Sequence, residues 1–232
     1  MQARENAMTM LTRSWSLLLD IIYPPRCGGC DRRGTLMCAD CLADMVPIAP
    51  GLYSADGLDA LICAGVFAGP LRNAVHKLKY ESDTPLARAL AHLVSDALSA
   101  DANWVAEDGT PPVLVPVPLH PTKKRARGYN QSELLAHELG KLTSWRVDKG
   151  LERIKHTRSQ VGLSADERAS NVADAFEWRG GDIPERVLLV DDVCTTGATL
   201  TQCALALRER GCEHVYAVTV AKAVGHALTA DV

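Results

Sequence analysis

Residues 187–199, VLLVDDVCTTGAT, decide the fold that we expect for this chain. Four apolar residues come first, as is typical of a central parallel strand that is buried on both faces. Two adjacent carboxylates, Asp191 and Asp192, follow, and a turn rich in Thr and Gly then leads into an apolar helical pattern. Because open α/β sheets bind ligands at the carboxyl ends of their strands, we expect a binding site in this turn.

The chemistry of the segment indicates a phosphorylated sugar as the ligand. Carboxylates at a strand end can accept hydrogen bonds from sugar hydroxyls, and the free N–H groups of a helix N-terminus attract phosphate. A strand, an Asx-type turn and a threonine-rich cap without any ligand are the structural alternative. The segment resembles the phosphoribosyl pyrophosphate (PRPP) motif of type I phosphoribosyltransferases. That resemblance implies the PRPP-binding residues Asp191, Asp192, Val193, Cys194, Thr195, Thr196, Gly197, Ala198 and Thr199.

Strands and helices alternate around this segment from about residue 60. Such alternation predicts a parallel sheet that is covered by helices on both faces. Asn130, with Glu133 three residues later, resembles a capping box at the start of one helix. The predicted strands lie at 61–67, 113–117, about 147–155, 187–190 and 215–221, and the clearest helices begin near 85, 130 and 198.

Four of the eight cysteines form two Cys-x2-Cys pairs within 15 residues: Cys27, Cys30, Cys38 and Cys41. Two such pairs can supply the four thiolates of a tetrahedral zinc site. An iron–sulfur cluster is an alternative, because four-cysteine sets also bind iron. Disulfides are the other alternative and fit poorly with a cytoplasmic chain. We therefore expect a small zinc ribbon at 26–46, held together by structural zinc because it is too small to form its own core.

A second cluster places four cations within five positions, before the helix that begins near 130. Residues 123–158 contain ten Lys/Arg and four Asp/Glu, a net charge of +6, which leaves −9 for the remainder of the chain. Arginine forks suit diphosphate oxygens, whereas a solvated basic loop is the structural alternative. The predicted diphosphate loop comprises Lys123, Lys124, Arg125, Arg127 and Gly128.

The polar segment that follows, at about 156–171, has little periodicity and the length of a flexible lid or a disordered loop. Its candidate functional residues are Arg158, Gln160, Arg168 and Asn171.

The composition excludes a mainly disordered chain, a collagen-like chain and a coiled coil. The hydrophobic content of 47% and the net charge of −3 are ordinary for a globular protein. Residues 1–25 have the spacing of an amphipathic helix. Their apolar stretch, Trp15 to Ile22, is interrupted by Asp20 and is far shorter than the ~20 residues that span a bilayer, and no small-residue cleavage site of a signal peptide follows it. We therefore expect a cytoplasmic protein with a linker at 47–59 and its main domain at 60–232.

Together these segments resemble the ComF family of competence-associated proteins. The resemblance rests on the four cysteines, the PRPP motif and the short runs 76–80, 116–119, 127–131, 157–160 and 167–176. It implies a zinc ribbon followed by a type I phosphoribosyltransferase-like domain, with Mg²⁺ accompanying PRPP. It also implies a role in handling imported single-stranded DNA, with a DNA-uptake helicase as a candidate partner.

Two functions of different classes follow. In the first, the chain is a phosphoribosyltransferase that acts on PRPP or a related phosphosugar and an unknown acceptor, with Asp191, Asp192, Arg125 and Arg127 as catalytic residues. In the second, it is a non-enzymatic scaffold that binds PRPP or single-stranded DNA for a helicase or recombination partner. The small number of aromatic residues argues against strong intrinsic binding of single strands.

Overall fold

The computed structural model describes residues 24–48, 55–100, 109–154 and 175–224. The helices are α1 (Ala39–Ala43), α2 (Gly69–Tyr80), α3 (Leu86–Ala100), α4 (Pro121–Arg127), α5 (Gln131–Thr143) and α6 (Ala198–Glu209). The strands are β1 (Ala60–Cys63), β2 (Val113–Pro116), β3 (Leu151–Arg153), β4 (Phe176–Trp178), β5 (Arg186–Cys194) and β6 (His214–Lys222). Within these residues, no helix is long and apolar enough to cross a bilayer.

The main sheet has the order β1-β6-β5-β2, and its neighbouring strands are parallel. The apolar run 187–190 lies on β5 between β2 and β6, as the sequence predicts. Strand β2 ends at Pro116, opposite Val190, whereas β5 continues to Cys194. The segment of β5 that begins at Asp191 therefore projects past the end of its neighbour.

The direction of the chain across the sheet reverses between β2 and β5. After β2, helix α5 leads to Val147, which forms a parallel bridge with Leu114 of β2. After β5, helix α6 leads to β6 on the opposite side. Doubly wound sheets bind ligands at such a reversal point, and Asp191 is located there.

Helical layers cover both faces of the sheet, as predicted. Along β5, Leu188 and Val190 belong to a core cluster with α3 and α5, whereas Val187 and Leu189 belong to a second cluster. This alternation follows from the period of two along a strand. The second cluster includes α6 and the β3–β4 hairpin, and its largest fully buried side chain is that of Trp178.

Some local predictions differ from the structure. The strand expected at 61–67 ends at Cys63. The strand expected at about 147–155 is divided, because Val147 bridges to β2 and β3 pairs antiparallel with β4. The basic residues expected in a loop form helix α4, since Pro121 occupies its first turn and His120 accepts a hydrogen bond from the Thr122 N–H. The amphipathic helix predicted at 1–25 lies almost entirely outside the described residues, so the domain boundaries remain predictions.

Candidate functional site

The acidic pair lies where β5 projects beyond β2. Asp191 Oδ1 accepts hydrogen bonds from Ser132 Oγ at 2.7 Å and from the backbone N–H of Asp192 at 2.9 Å. Asp192 Oδ1 pairs with Lys79 Nζ at 2.9 Å, and only 4% of the Asp192 side chain is exposed. Asp192 Oδ2 is buried and makes no hydrogen bond within the described residues. The pair therefore contains a carboxylate oxygen without a partner, and an unpaired buried acceptor normally costs stability.

Electrostatics raise the pKa of one carboxyl of this pair in the absence of a ligand. Burial, reinforced by the charge of Asp192, raises the pKa of Asp191 to about 7. The hydroxyl of Ser132 and the ammonium of Lys79 act in the opposite direction on the same pKa. A divalent cation or a hydroxyl donor at this position would replace the proton as the partner of the carboxylate. The oxygen donors are of the kind that Mg²⁺ prefers, so the residues fit the predicted magnesium.

The turn after β5 has the form expected of a phosphate loop. Thr195 and Thr196 are exposed, and Gly197 adopts a left-handed φ of +88° directly before α6 begins at Ala198. An L-residue at position 197 would be strained, which explains the glycine. Below the turn, Lys222 at the end of β6 is 8% exposed and donates a hydrogen bond to the Thr195 carbonyl. The loop thus carries a buried positive charge beneath its exposed hydroxyls.

Cys194 sits inside this segment as a buried thiol. Burial raises the pKa of Cys194, and burial also raises the pKa of Cys63 on β1 to about 11. Both thiols are therefore protonated near neutral pH, and a protonated thiol is a poor nucleophile. This supports a structural role for Cys194.

Two residues of the predicted diphosphate loop, Lys123 and Arg127, lie among other cations. Burial lowers the pKa of Lys123, and the charges of Arg153, Arg127 and Lys79 lower it further, so these three cations lie within electrostatic range of Lys123. The guanidinium carbon of Arg127 lies 5.4 Å from the centroid of the Tyr80 ring, and Arg127 donates a hydrogen bond to Gln131. A cluster of four cations beside two carboxylates suits a ligand that carries both phosphate groups and hydroxyls.

Other predicted residues lie elsewhere. Lys124 forms an ion pair with Glu133 of α5 at 2.6 Å. Glu133 consequently binds lysines instead of closing the predicted capping box, whereas Asn130 caps α5 by accepting from the Ser132 N–H. Arg125 is exposed and makes no hydrogen bond or ion pair in the described parts of the chain. The four predicted lid residues, Arg158, Gln160, Arg168 and Asn171, lie outside the described residues.

Sequence reasoning missed Lys79, Ser132, Arg153 and Lys222. Lys79 lies about 110 positions before Asp192 in the sequence, and no spacing pattern predicts a contact between residues so far apart. Lys222 did leave a signal, because a lysine that ends an apolar strand run sits at the ligand-binding edge of a parallel sheet.

The four N-terminal cysteines form a candidate metal centre. Their Sγ atoms all lie within 4.8 Å of one another, and Cys30 Sγ lies 3.7 Å from Cys38 Sγ. Tetrahedral zinc with bonds of about 2.3 Å requires sulfur atoms about 3.8 Å apart, so the set fits zinc. All eight cysteines are free in this structure, so it gives no support to the disulfide alternative. Burial raises the pKa of Cys27, but hydrogen bonds from backbone N–H groups such as that of Cys38 outweigh burial and lower it to about 6.

The cysteine lobe is attached to helix α2. Lys77 Nζ donates to the Cys27 carbonyl at 3.4 Å and to Asp31 Oδ1 at 2.5 Å, and Asn73 Nδ2 donates to the Gly29 carbonyl at 3.0 Å. A Cβ atom on Gly29 would lie 2.6 Å from Cys41 Sγ and 2.8 Å from Pro70 Cβ. Only glycine allows this close packing between the metal ligands and the helix.

Comparison with known proteins identifies relatives of this chain. A model of the phosphoribosyl transferase domain matches residues 131–229. Competence protein F of Haemophilus influenzae is 31% identical over 207 residues, which cover 85% of this chain and 90% of that protein. DNA utilization protein YhgH of Escherichia coli K12 is 30% identical over 81% of this chain and 78% of that protein. Competence protein ComFC of Streptococcus pneumoniae is 27% identical over 62% of this chain and 60% of that protein.

Proposed function

Because the chain belongs to the competence protein F family and carries a phosphoribosyl transferase domain, we propose that it binds PRPP with Mg²⁺ at the end of β5. One observation carries this proposal: the buried Oδ2 of Asp192 has no hydrogen-bond partner within the described residues. Asp192 comes three residues before the exposed Thr195-Thr196 turn and pairs with Lys79, one of the cations that act on Lys123. A carboxylate oxygen in that position needs a hydroxyl or a metal ion as its partner. A ribose with two phosphorylated ends supplies hydroxyls in the middle and anions on both sides.

In this proposal each part of the site holds one part of the ligand. The exposed Thr195 and Thr196, together with the N-terminus of α6, bind the 5-phosphate. Asp191 and Asp192 accept hydrogen bonds from the ribose hydroxyls and hold Mg²⁺, which supplies positive charge for the diphosphate. Lys123 and Arg127 bind the diphosphate.

The contacts proposed for PRPP binding would also support transfer of its phosphoribosyl group to an acceptor. The bond between the anomeric carbon and the diphosphate oxygen breaks, the electron pair leaves with the diphosphate, and an acceptor nucleophile forms the new bond to that carbon. Cations that already surround the departing oxygens stabilise the charge that develops there. The acceptor is a nucleophile that the described residues do not identify.

The names of the relatives, which refer to competence and DNA utilization, favour a role in DNA uptake for this chain. We place that role in the cytoplasm on the chemistry of the cysteines. Eight free cysteines fit a reducing compartment, and zinc is the metal we propose for the four-cysteine lobe. Such a role can be enzymatic, or it can consist of binding PRPP as a signal.

The test of the proposed function is the double substitution Asp191→Asn/Asp192→Asn, measured by calorimetry. We expect the variant to lose Mg²⁺-dependent PRPP binding while inorganic phosphate binds equally or more tightly, because two negative charges near the loop are gone. Lys141→Met is the matched control for a charge change on the exposed surface. Unchanged binding of Mg²⁺-PRPP by the double variant would show that the site lies elsewhere.

One observation favours a second function, the binding of single-stranded DNA. Tyr80 is 66% exposed, its ring centroid lies 4.8 Å from that of His76, and Arg127 lies over its face. Bases stack on such exposed aromatic rings beside cations, at about 1–3 kcal/mol per base. Tyr80→Ala should weaken binding of a labelled oligo(dT) by fluorescence anisotropy, whereas Leu205→Ala on the distant helix α6 should not. Equal affinities of the two variants would argue against this function.

A further inference from the structure

Lys79 is the partner of the buried carboxylate in the site. Its Nζ lies 2.9 Å from Asp192 Oδ1, and the Lys79 side chain is 20% exposed against 4% for Asp192. An ion pair that is shielded from water to this degree is stronger than an exposed one. It also fixes the carboxylate, since breaking a buried pair leaves a charge without compensation.

The position of Lys79 is fixed by the packing of α2. Four residues of this helix, Leu71, Ala74, Val75 and Leu78, are fully buried. The hydroxyl of Tyr129 donates to the Leu78 carbonyl in the last turn, and Lys77 holds the cysteine lobe from the same turn. Lys79 therefore points into the site from a helix that is held on several sides.

The same ammonium acts on both halves of the site. Its charge opposes the effect of burial on the pKa of Asp191, and it contributes to the lowered pKa of Lys123. Lys79 thus contacts the acidic pair and lies within electrostatic range of Lys123 on the basic helix α4. Removing it would leave two carboxylates with less compensating charge and would take one cation away from the anion-binding side.

We propose that Lys79 is a positioning residue that holds Asp192 and balances the charge of the acidic pair, so that the site selects a metal-bound anionic phosphosugar over a free divalent cation. This inference rests on the proposed function for the identity of the phosphosugar. The balance of charge itself rests on the contact between Lys79 and Asp192.

The experiment compares Lys79→Met and Lys79→Arg with the wild-type chain and with Lys141→Met, a control at an exposed lysine that pairs with Glu138 on α5. Two ligands are titrated: Mg²⁺-PRPP by calorimetry, and Mn²⁺ alone by the loss of its free-ion electron paramagnetic resonance signal. Methionine keeps the apolar stem of lysine but removes its charge, whereas arginine keeps the charge.

We expect Lys79→Met to weaken Mg²⁺-PRPP about tenfold or more, as for the loss of a charge-assisted hydrogen bond, and to bind Mn²⁺ alone several-fold more tightly. Lys79→Arg should restore most of the PRPP affinity. These opposite changes distinguish charge balance from misfolding, because a structural defect would weaken both ligands.

Two results would overturn the inference: wild-type affinities for both ligands in Lys79→Met, or weaker binding of both with a lowered melting temperature. If the wild-type chain binds no Mg²⁺-PRPP, the proposed function fails instead. The Mn²⁺ titration then still decides the inference, since tighter binding by Lys79→Met supports it and equal binding refutes it.

Discussion

The binding of divalent cations should depend on pH through Asp191. The pKa of this carboxyl is about 7, raised by burial and then by the charge of Asp192. A metal ion must displace the proton, so its affinity follows the ionised fraction of the carboxyl. With a pKa of 7, that fraction falls from about 90% at pH 8 to about 10% at pH 6. We therefore expect Mn²⁺ affinity to fall about tenfold between these two pH values.

The stability of the metal-free chain depends on pH in the opposite direction from its affinity for metal. The folded chain holds this proton more tightly than the unfolded chain, in which the carboxyl has its ordinary pKa near 3.8. Ionisation of Asp191 therefore lowers the free energy of unfolding as the pH rises from about 4 to 7. Bound metal should reverse this loss, so the stabilisation by Mn²⁺ in thermal unfolding should be larger at pH 8 than at pH 6.

Ser132→Ala identifies the responsible group. The Ser132 hydroxyl donates to Asp191 Oδ1 at 2.7 Å and favours the ionised form. Without it the midpoint of the Mn²⁺ pH profile should move to higher pH, whereas Ser99→Ala should leave it in place, because the Ser99 hydroxyl donates within α3 to Ser95. Calorimetry in two buffers of different ionisation enthalpy should show release of about half a proton per Mn²⁺ at pH 7. The reasoning is refuted if Mn²⁺ affinity is constant from pH 6 to 8 with no proton released.

Four further outcomes are expected. Elemental analysis should give about one zinc per chain, and Cys27→Ser/Cys30→Ser should abolish it; full zinc retention would contradict the assignment. Arg127→Ala should weaken PRPP more than ribose 5-phosphate in calorimetry, and Arg125→Ala should have the smaller effect because its side chain is exposed; the reverse order would place the diphosphate elsewhere. Gly29→Ala should lower the melting temperature and the zinc content, since its Cβ would meet Cys41 Sγ at 2.6 Å; wild-type zinc content would argue against close packing. Chelation of the zinc should weaken Mg²⁺-PRPP, because α2 joins the lobe to Lys79, and unchanged affinity would show that the two sites are independent.

The fold could be predicted because its signals are local. The four-residue apolar run before Asp191 is long enough to mark a strand buried on both faces, and it forms the centre of the sheet. The spacing of the four cysteines likewise indicated a cluster that the structure confirms. In both cases neighbouring residues in the sequence are also neighbours in space.

The site could be predicted only in part, because the residues that balance the charge of its carboxylates come from distant parts of the sequence. Lys79, Ser132 and Arg153 come from three elements that only the folded chain brings to Asp191 and Asp192. The antiparallel pair of β3 and β4 was predicted only in part: the strand expected at about 147–155 covers β3, but nothing in the sequence indicated β4 or the pairing, since both strands are three residues long and a segment outside the described residues separates them. A short strand is specified by the partner it meets, and periodicity does not reveal that partner.

The most direct test of the central claim is a calorimetric titration of the wild-type chain with PRPP, with and without Mg²⁺, against ribose 5-phosphate. The site described here predicts one PRPP per chain, binding that requires Mg²⁺, and clearly weaker binding of ribose 5-phosphate, because that sugar has no diphosphate for Lys123 and Arg127. Equal affinity for the two sugars, or PRPP binding that is indifferent to Mg²⁺, would contradict the assignment of the acidic pair and the cation cluster to one ligand.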